Sequence, residues 1–255
     1  MIGIIGGVGP FAGLDLSSKI FSSTIAFCDQ DHLTVILYSA PSFITDRTDF
    51  LTGKTNENPA EAVFQIVKEM VRMGVTWIGI PCNAMHAPSI FDRLKHLRDR
   101  SGIEVELVHM IEEVMEFMNH EMPKVSRVGV LSTTGTYQSG VYGLYLREFS
   151  YIPLIVPDTL QEEIHEAIYN KEYGIKACSD PVSEQALLLL KKGITWLEEK
   201  GAESIILGCS EISLAVESNI TISVPFIDPT LILARALIKK SAPEKLKPLS
   251  SIFHS

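Results

Sequence analysis

A regular alternation of short apolar runs with longer helix-like segments is the feature that most constrains the fold. Helix-start signals, a capping residue followed by proline, occur at Asn58-Pro59, Asp180-Pro181 and Asp228-Pro229. This alternation predicts an α/β protein in which helices cover mainly parallel strands. The predicted strands are residues 2–6, 33–39, 76–80, 127–131 and 203–207, with weaker candidates at 152–156 and 221–226. A further strand-like segment, EVELV, occupies residues 104–108.

The sequence also repeats itself in outline. The segment IGIIGGVGP from Ile2 resembles VGVLSTTGT from Val128, at a shift of 126 positions. In both parts a glycine, a strand and a cysteine follow, and Cys82 and Cys209 are 127 positions apart. We therefore predict two similar α/β subdomains related by a pseudo-two-fold axis, with the active site in the cleft between them.

The repeat also sets the expected domain boundaries. Residues 1–120 would form the first half, to which the C-terminal segment 221–255 could return, and residues 121–220 would form the second. Equivalent strand ends of two such halves meet at a shared cleft. The two matched cysteines would then contact one pocket from opposite sides.

Composition limits the expected partners and location. The formal net charge of −9 comes from acidic residues spread along the chain, so binding to nucleic acid is not expected. No run of about 18 uncharged apolar residues occurs, and the first ten residues lack the basic region of a signal peptide. The four cysteines form no CxxC pair or zinc-type spacing. These features predict a cytoplasmic protein without a metal site or a membrane segment.

Cys82 and Cys209 each stand after a predicted strand and before a predicted helix. Helix N-terminal N–H groups and the helix dipole can lower the pKa of a thiol placed there. Two such thiols on opposite sides of one carbon could act as base and acid and so invert its configuration without a cofactor. For Cys28, placed at a helix end, and for Cys178, we expect no chemistry; Cys28 is predicted to be a small buried residue.

Five segments carry a family resemblance. Pro81-Cys82-Asn83 followed by His86 resembles the PCNTAH motif of the cofactor-independent aspartate/glutamate racemases, and GCSEI from Gly208 resembles their second motif, GCTE[IL]. GGVGP from Gly6 is similar to their GGMGP loop. DRT from Asp46 and LSTTGTYQSGVY (residues 131–142) are similar to two further segments. The resemblance extends from Ile2 to about Leu237.

The resemblance implies two α/β subdomains and no cofactor. It implies Cys82 and Cys209 as the acid/base pair, and Asn83 and Ser210 as hydrogen-bond donors to the substrate α-carboxylate. The remaining implied substrate-binding positions are Gly7, Val8, Ala84, Thr133, Thr134 and Thr136. The resemblance also implies a homodimer.

The sequence departs from the family pattern near both cysteines. Ala84 replaces a threonine and Met85 an alanine, while Val8 replaces a methionine. Losing the threonine hydroxyl removes one donor to a carboxylate, which bears on the substrate and the rate rather than on proton transfer. Ser210 keeps the hydroxyl of the family threonine.

Recognition of a second carboxylate is predicted for Arg47, because guanidinium binds carboxylate with two parallel hydrogen bonds. The alternative is a solvated arginine in a polar loop. A basic partner from the second half has four candidate positions, Gln161, His165, Lys171 and Lys176. Two further residues stay open: His86 could stabilise a thiolate or pack in the core, and Glu211 could orient Cys209 or favour a helix N-terminus.

The sequence thus predicts cofactor-independent racemisation of an acidic amino acid, aspartate or glutamate, which is the expected small-molecule partner. The alternatives are an isomerase, decarboxylase or racemase of another small acid with a related fold, and a non-catalytic amino-acid binding protein. A nicotinamide-dependent oxidoreductase is disfavoured. GVGPFA from Gly7 fits a relaxed G-x-G-x-x-A, but the second strand lacks an acidic end residue. A cysteine hydrolase using Cys82 and His86 lacks a third orienting group.

Overall fold

The computed structural model describes residues 1–249, except for the side chains of residues 217–219, and within these residues it contains two four-stranded parallel sheets. The first sheet has the order β2-β1-β3-β4 and the second the order β6-β5-β7-β8. The strands are β1 (Ile2–Ile5), β2 (Val35–Tyr38), β3 (Trp77–Gly79), β4 (Glu106–Val108), β5 (Arg127–Ser132), β6 (Ile152–Ile155), β7 (Ser204–Gly208) and β8 (Phe226–Ile227).

The two sheets have the same topology. In each, the first strand along the chain lies between the second and the third, and the fourth strand pairs with the third. All pairs are parallel, including those of β1 with β3 and of β5 with β7. The strands β3 and β7, which precede the two cysteines, therefore occupy equivalent central positions. The predicted α/β class with two similar subdomains is confirmed.

Helices connect the strands and cover both sheets. The helix that begins after Asn58 buries one apolar face: its Val63, Val67 and Met70 have no exposed surface. Burial of such a stripe against a sheet supplies most of the stability of a surface helix. The helices of the described residues are α1 (Pro10–Ser22), α2 (Arg47–Leu51), α3 (Pro59–Arg72), α4 (Pro88–Ser101), α5 (Met110–Glu121), α6 (Thr134–Ser139), α7 (Val141–Glu148), α8 (Asp158–Tyr169), α9 (Glu184–Glu199), α10 (Ser210–Asn219) and α11 (Pro229–Ser241).

The C-terminal helix α11 packs against the first sheet. It lies against α1, α5 and β3, and its Leu233 and Leu237 are buried with Ile4 and Leu16 in one apolar cluster. The preceding strand β8 belongs to the second sheet, so the chain crosses between the two halves at this point. The domain boundaries at residues 120 and 220 stay a prediction.

Two of the three helix-start predictions are confirmed. The side chain of Asn58 accepts a hydrogen bond from the Ala60 N–H, and that of Asp228 accepts one from the Thr230 N–H. The start predicted at Asp180 is wrong. The helix begins at Glu184, where Ser183 accepts from the Ala186 N–H, because a turn closed by a bridge between Ser179 and Val182 precedes it.

Three further sequence predictions can be compared with the structure. The last three residues of the segment EVELV form the strand β4, as its pattern predicts. The weak strand at 221–226 is wrong except at Phe226, since Pro225 has no N–H to donate to a ladder. The buried position predicted for Cys28 is also wrong: the residue is exposed before a surface turn at Asp29–Asp31.

Within residues 1–249 no helix is both long and apolar enough to cross a membrane.

Candidate active site

Cys82 and Cys209 occupy equivalent backbone positions. Cys82 follows β3 and caps a 3₁₀ turn at Asn83–His86, with φ −148° and ψ 109°. Cys209 follows β7 and caps α10, with φ −147° and ψ 130°. Both thiols therefore stand at the start of a helical segment, where backbone N–H groups favour negative charge.

Both cysteines line a single cavity. The cavity is narrow, with a volume of about 20 Å³, room for about one water, and its wall combines residues from both parts of the chain. The two thiols therefore share one narrow space, and a substrate held between them would have to widen it. The lining residues are Val8, Arg47, Pro81, Cys82, Asn83, Ala84, Thr133, Thr136, Tyr169, Lys176, Gly208, Cys209, Ser210 and Glu211.

Nine of the eleven residues predicted for the site line this cavity, and Gly7 and Thr134 do not. Gly7 lies against the backbone of Ala40, where a Cβ atom would come within 2.7 Å of the Ala40 nitrogen. The backbone N–H of Thr134 points away towards His165 Nδ1, at 3.4 Å. Gly7 therefore shapes the loop that carries Val8, and Thr134 lies at the beginning of α6.

Arg47 is buried rather than solvated. It begins α2 and is 7% exposed, which rules out a solvated loop arginine. Its Nη2 donates to the Val8 carbonyl at 2.6 Å, while its Nε has no partner among the residues that the structure describes. Burial lowers the pKa of Arg47, but the charges of Cys82 and Asp46 outweigh burial and hold this pKa above its usual value. Arg47 therefore places a permanent positive charge near the Cys82 thiol.

Cys209 belongs to a chain of charged contacts. Its Sγ donates to Glu211 Oε2 at 3.0 Å, and Lys176 Nζ donates to Glu211 Oε1. Burial, followed by the charge of Glu211, raises the pKa of Cys209 well above its usual value, so the thiol is protonated. Burial alone would raise the pKa of Glu211, but Lys176 and the Cys209 thiol hold this pKa below its usual value. Glu211 thus contacts Cys209 directly, as one of its two predicted roles requires.

Lys176 is the only one of the four second-half candidates that lines the cavity. Gln161 donates to the Ser132 carbonyl at 2.9 Å, His165 stacks on Tyr169, and Lys171 is exposed. These three side chains are engaged elsewhere or point to solvent, whereas Lys176 lies at the cavity wall.

Tyr169 is a lining residue that the sequence did not indicate. It is the last residue of α8, and the Lys176 ammonium lies over its ring, 5.2 Å from the centroid. Its hydroxyl donates to Asp46 Oδ2 at 3.1 Å and lies 3.3 Å from Thr48 Oγ1. Tyr169 therefore fixes Lys176 and joins the beginning of α2 to α8. The two partners of its hydroxyl are more than 100 residues away in sequence, so no local pattern signals these contacts.

Asn83 and Ser210 directly follow the two cysteines. The two residues differ in whether their side-chain donor already has an acceptor. Asn83 is 2% exposed, its Oδ1 accepts from the Tyr142 hydroxyl, and its Nδ2 has no partner within the described part of the chain. The Ser210 hydroxyl donates to the Pro81 carbonyl at 2.7 Å. The Asn83 amide is therefore available to a ligand, whereas the Ser210 hydroxyl proton holds together the loops that carry the two cysteines.

His86 is a packed residue. It has no exposed surface, its Nε2 lies 3.0 Å from the Ile80 carbonyl, and its ring contacts Phe91 and His109. Burial, helped by His109, lowers the pKa of His86 well below its usual value, so the ring is neutral. A neutral imidazole outside the cavity wall does not supply a charge to Cys82, which favours the packing alternative.

The chain is similar over most of its length to known racemases. It is 24% identical over 249 residues to the broad specificity amino-acid racemase RacX of Bacillus subtilis, a match that covers 93% of this chain and 96% of that protein. The structure of Picrophilus torridus aspartate racemase matches with a TM-score of 0.79 at 28% identity, over 96% of this chain and 95% of that one.

A glutamate racemase of Francisella tularensis, solved in complex with D-glutamate, shares the fold. Its TM-score is 0.67 at 20% identity, over 96% of this chain and 82% of that one. The family model for Asp/Glu/Hydantoin racemase matches residues 5–237, which is nearly the whole chain. This protein is therefore a member of the Asp/Glu/Hydantoin racemase family.

Proposed function

We propose that the protein racemises an acidic amino acid, aspartate or glutamate, by moving a proton at the α-carbon between two thiols. The observation that carries the proposal is that Cys82 and Cys209, in equivalent positions of the two halves, line the same cavity. A carbon held between two such groups can lose a proton from one face and gain one on the other.

The charges of the cavity favour a substrate with two carboxylates. Its wall includes two cations, Arg47 and Lys176, and one carboxylate, Glu211. Arg47 Nε and Asn83 Nδ2 are buried donors that find no partner in residues 1–249 as described, and such groups are costly unless an acceptor satisfies them. Carboxylate oxygens are strong acceptors for both groups. A neutral amino acid or a hydantoin would offer no distal carboxylate to Arg47 and Lys176.

Each carboxylate has its own donors in this proposal. Asn83 and Thr136 bind the α-carboxylate beside the thiols, and Arg47 and Lys176 bind the distal carboxylate. Ala84 lies on the same wall but has no hydroxyl that could donate a hydrogen bond to a carboxylate. The Ser210 hydroxyl already donates to Pro81, so we assign it to holding the two loops together rather than to the substrate.

The two thiols differ in their surroundings. The charged Arg47 guanidinium lies near Cys82, whereas burial and Glu211 keep Cys209 protonated. In this proposal Cys82 acts first as the base, in its thiolate form, and Cys209 acts as the acid. The Cys82 thiolate removes the α-proton, and the electron pair of the C–H bond moves onto the α-carbon and its carboxylate. The Cys209 thiol then gives its proton to the opposite face, which leaves Cys82 as thiol and Cys209 as thiolate. The reverse reaction exchanges these roles.

Chirality measurements on the purified protein without added cofactor test this function. L- and D-aspartate, L- and D-glutamate, alanine and a hydantoin would each be incubated, and both enantiomers quantified. We expect either aspartate or glutamate to reach an equal mixture from both sides. Alanine should react at least about 100-fold more slowly, because it makes no contact with Arg47 and Lys176. Faster racemisation of alanine or the hydantoin would contradict the proposed substrate class, and binding without turnover would contradict catalysis.

Replacing Glu211 with glutamine should move the pH dependence of racemisation. The charge of Glu211 adds to burial in raising the pKa of Cys209, and Lys176 opposes it. Without that charge the pKa of Cys209 falls, so the limb of the kcat/KM–pH profile that reports Cys209 should move to lower pH for both enantiomers. Glu163→Gln is the matched control, because Glu163 also pairs with a lysine, Lys192, but on the surface. An unchanged profile, or a shift to higher pH, would show that Glu211 does not control Cys209.

A further inference from the structure

We propose that Tyr142 is a positioning residue that holds the Asn83 amide with its NH₂ group towards the cavity and so prepares it to bind the substrate α-carboxylate. The identity of this ligand group as the α-carboxylate of an amino-acid substrate rests on the proposed function. Tyr142 itself does not line the cavity.

Tyr142 links residues beside both thiols. It comes from α7 in the second half, is 2% exposed, and donates its hydroxyl proton to Oδ1 of Asn83, the residue after Cys82. Its ring lies against Gly208, the residue before Cys209, where a Cβ atom would come within 3.1 Å of a ring carbon. One rigid aromatic side chain therefore fixes the distance between these two loops.

This hydrogen bond decides which end of the amide faces the ligand. An asparagine amide has an acceptor oxygen and an NH₂ donor at opposite ends. Because Oδ1 accepts from Tyr142, the unpartnered Nδ2 of Asn83 is left for a ligand. The reverse orientation would turn an oxygen towards a carboxylate and would leave the buried phenol without an acceptor, and both arrangements are unfavourable.

The donor role of Tyr142 persists while the thiols change charge. Burial, with contributions from the charges of Asp228 and Cys209, raises the pKa of Tyr142 well above its usual value. The phenol therefore keeps its proton in both directions of the reaction, and the amide keeps its orientation.

Tyr142→Phe tests the inference, with Tyr145→Phe as the matched control. Tyr145 lies on the same helix, and its hydroxyl donates to Glu112 on the surface at 3.1 Å. We expect Tyr142→Phe to raise KM about tenfold, because a hydrogen bond to the α-carboxylate is weakened. Its kcat and pH profile should stay close to those of Tyr145→Phe, whereas its melting temperature should be lower, because the buried Oδ1 of Asn83 loses its donor. A KM like that of the control, or a loss confined to kcat or to the folded fraction, would overturn the inference.

A double-mutant cycle shows whether Tyr142 acts through Asn83. We expect Asn83→Ala and Asn83→Ala/Tyr142→Phe to have the same KM, because Tyr142 has no amide to hold in the double variant. Independent, multiplying effects would overturn the inference. Dissociation constants for L-aspartate and L-glutamate, measured by calorimetry on the same variants, separate the two proposals. If the wild type binds either amino acid but does not racemise it, the proposed function is wrong, and the dissociation constants of the variants still test the role of Tyr142. If the wild type binds neither amino acid, both proposals are wrong.

Discussion

Replacing either Cys82 or Cys209 with serine should lower the rate of racemisation about a thousandfold or more. General acid–base groups contribute roughly 10²–10⁴-fold to catalysis, and a serine hydroxyl is too weak an acid to take the place of a thiol. Both cysteines line the cavity, so each single loss removes the proton donor or acceptor on one face. Because every turnover uses both faces, neither variant should racemise in either direction.

The two variants should nevertheless differ in the proton exchange that remains. Each keeps one thiol, which can still exchange the α-proton of the enantiomer that presents its C–H bond to that side. Loss of α-tritium or α-deuterium label to solvent should therefore be confined to one enantiomer in Cys82→Ser and to the other in Cys209→Ser. Cys178→Ser is the control, because this free cysteine is outside the cavity wall. Normal racemisation by either active-site variant would contradict the assignment.

Replacing Lys176 with methionine should produce the largest change in substrate affinity. Lys176 is a cavity-lining cation held between the Tyr169 ring and Glu211. Its loss leaves Glu211 to repel the distal carboxylate, and we expect KM for aspartate and glutamate to rise about 100-fold. The preference for acidic over neutral amino acids should shrink accordingly. Lys171→Met, which changes an exposed lysine of the same region, should have no such effect.

The same substitution should change the pH dependence of stability. The pKa of Glu211 lies below its usual value because Lys176 and Cys209 oppose the effect of burial. The ionised Glu211 therefore contributes to stability above about pH 4, and this contribution is lost as the pH falls through the lowered pKa. Without Lys176 the buried carboxylate has no cation, so unfolding at neutral pH should become easier than in the wild type.

A double variant separates affinity from stability. Lys176→Met/Glu211→Gln removes both charges of the pair and should recover most of the lost melting temperature at neutral pH. It should not recover KM, because the cation that binds the substrate is still missing. Recovery of both quantities would show that Lys176 acts only on stability, and would contradict its role in recognition.

The sequence predicted the architecture because its signals are local and repeated. Apolar runs and capping residues act over a few positions, and they located β1, β5 and β7 and the beginning of α3. The shift of 127 positions between Cys82 and Cys209 also predicted their equivalence, which reappears as nearly equal φ angles of −148° and −147°. When two residues occupy matching positions in two similar halves, a structural prediction for one of them also applies to the other.

The rest of the site depends on contacts between distant segments. The sequence left a solvated loop arginine open as the alternative for Arg47, and only the folded structure, with its bond to Val8 39 residues away, shows that Arg47 is buried. Lys176 is indistinguishable from Lys171 until Glu211, 35 residues further on, pairs with it. Asp180 carries as good a capping signal as Asn58, but a turn across Ser179 and Val182 delays the helix to Glu184.

Early-time racemisation in deuterium oxide tests the two-thiol account most directly. Starting from one unlabelled enantiomer of aspartate or glutamate, both enantiomers would be separated within the first few per cent of reaction and analysed for deuterium at the α-carbon. We predict a product that carries solvent deuterium and a remaining substrate that does not, because separate thiols remove and deliver the proton. Product that retains the original proton, or equal labelling of both enantiomers from the start, would mean that one group serves both faces and would contradict the account.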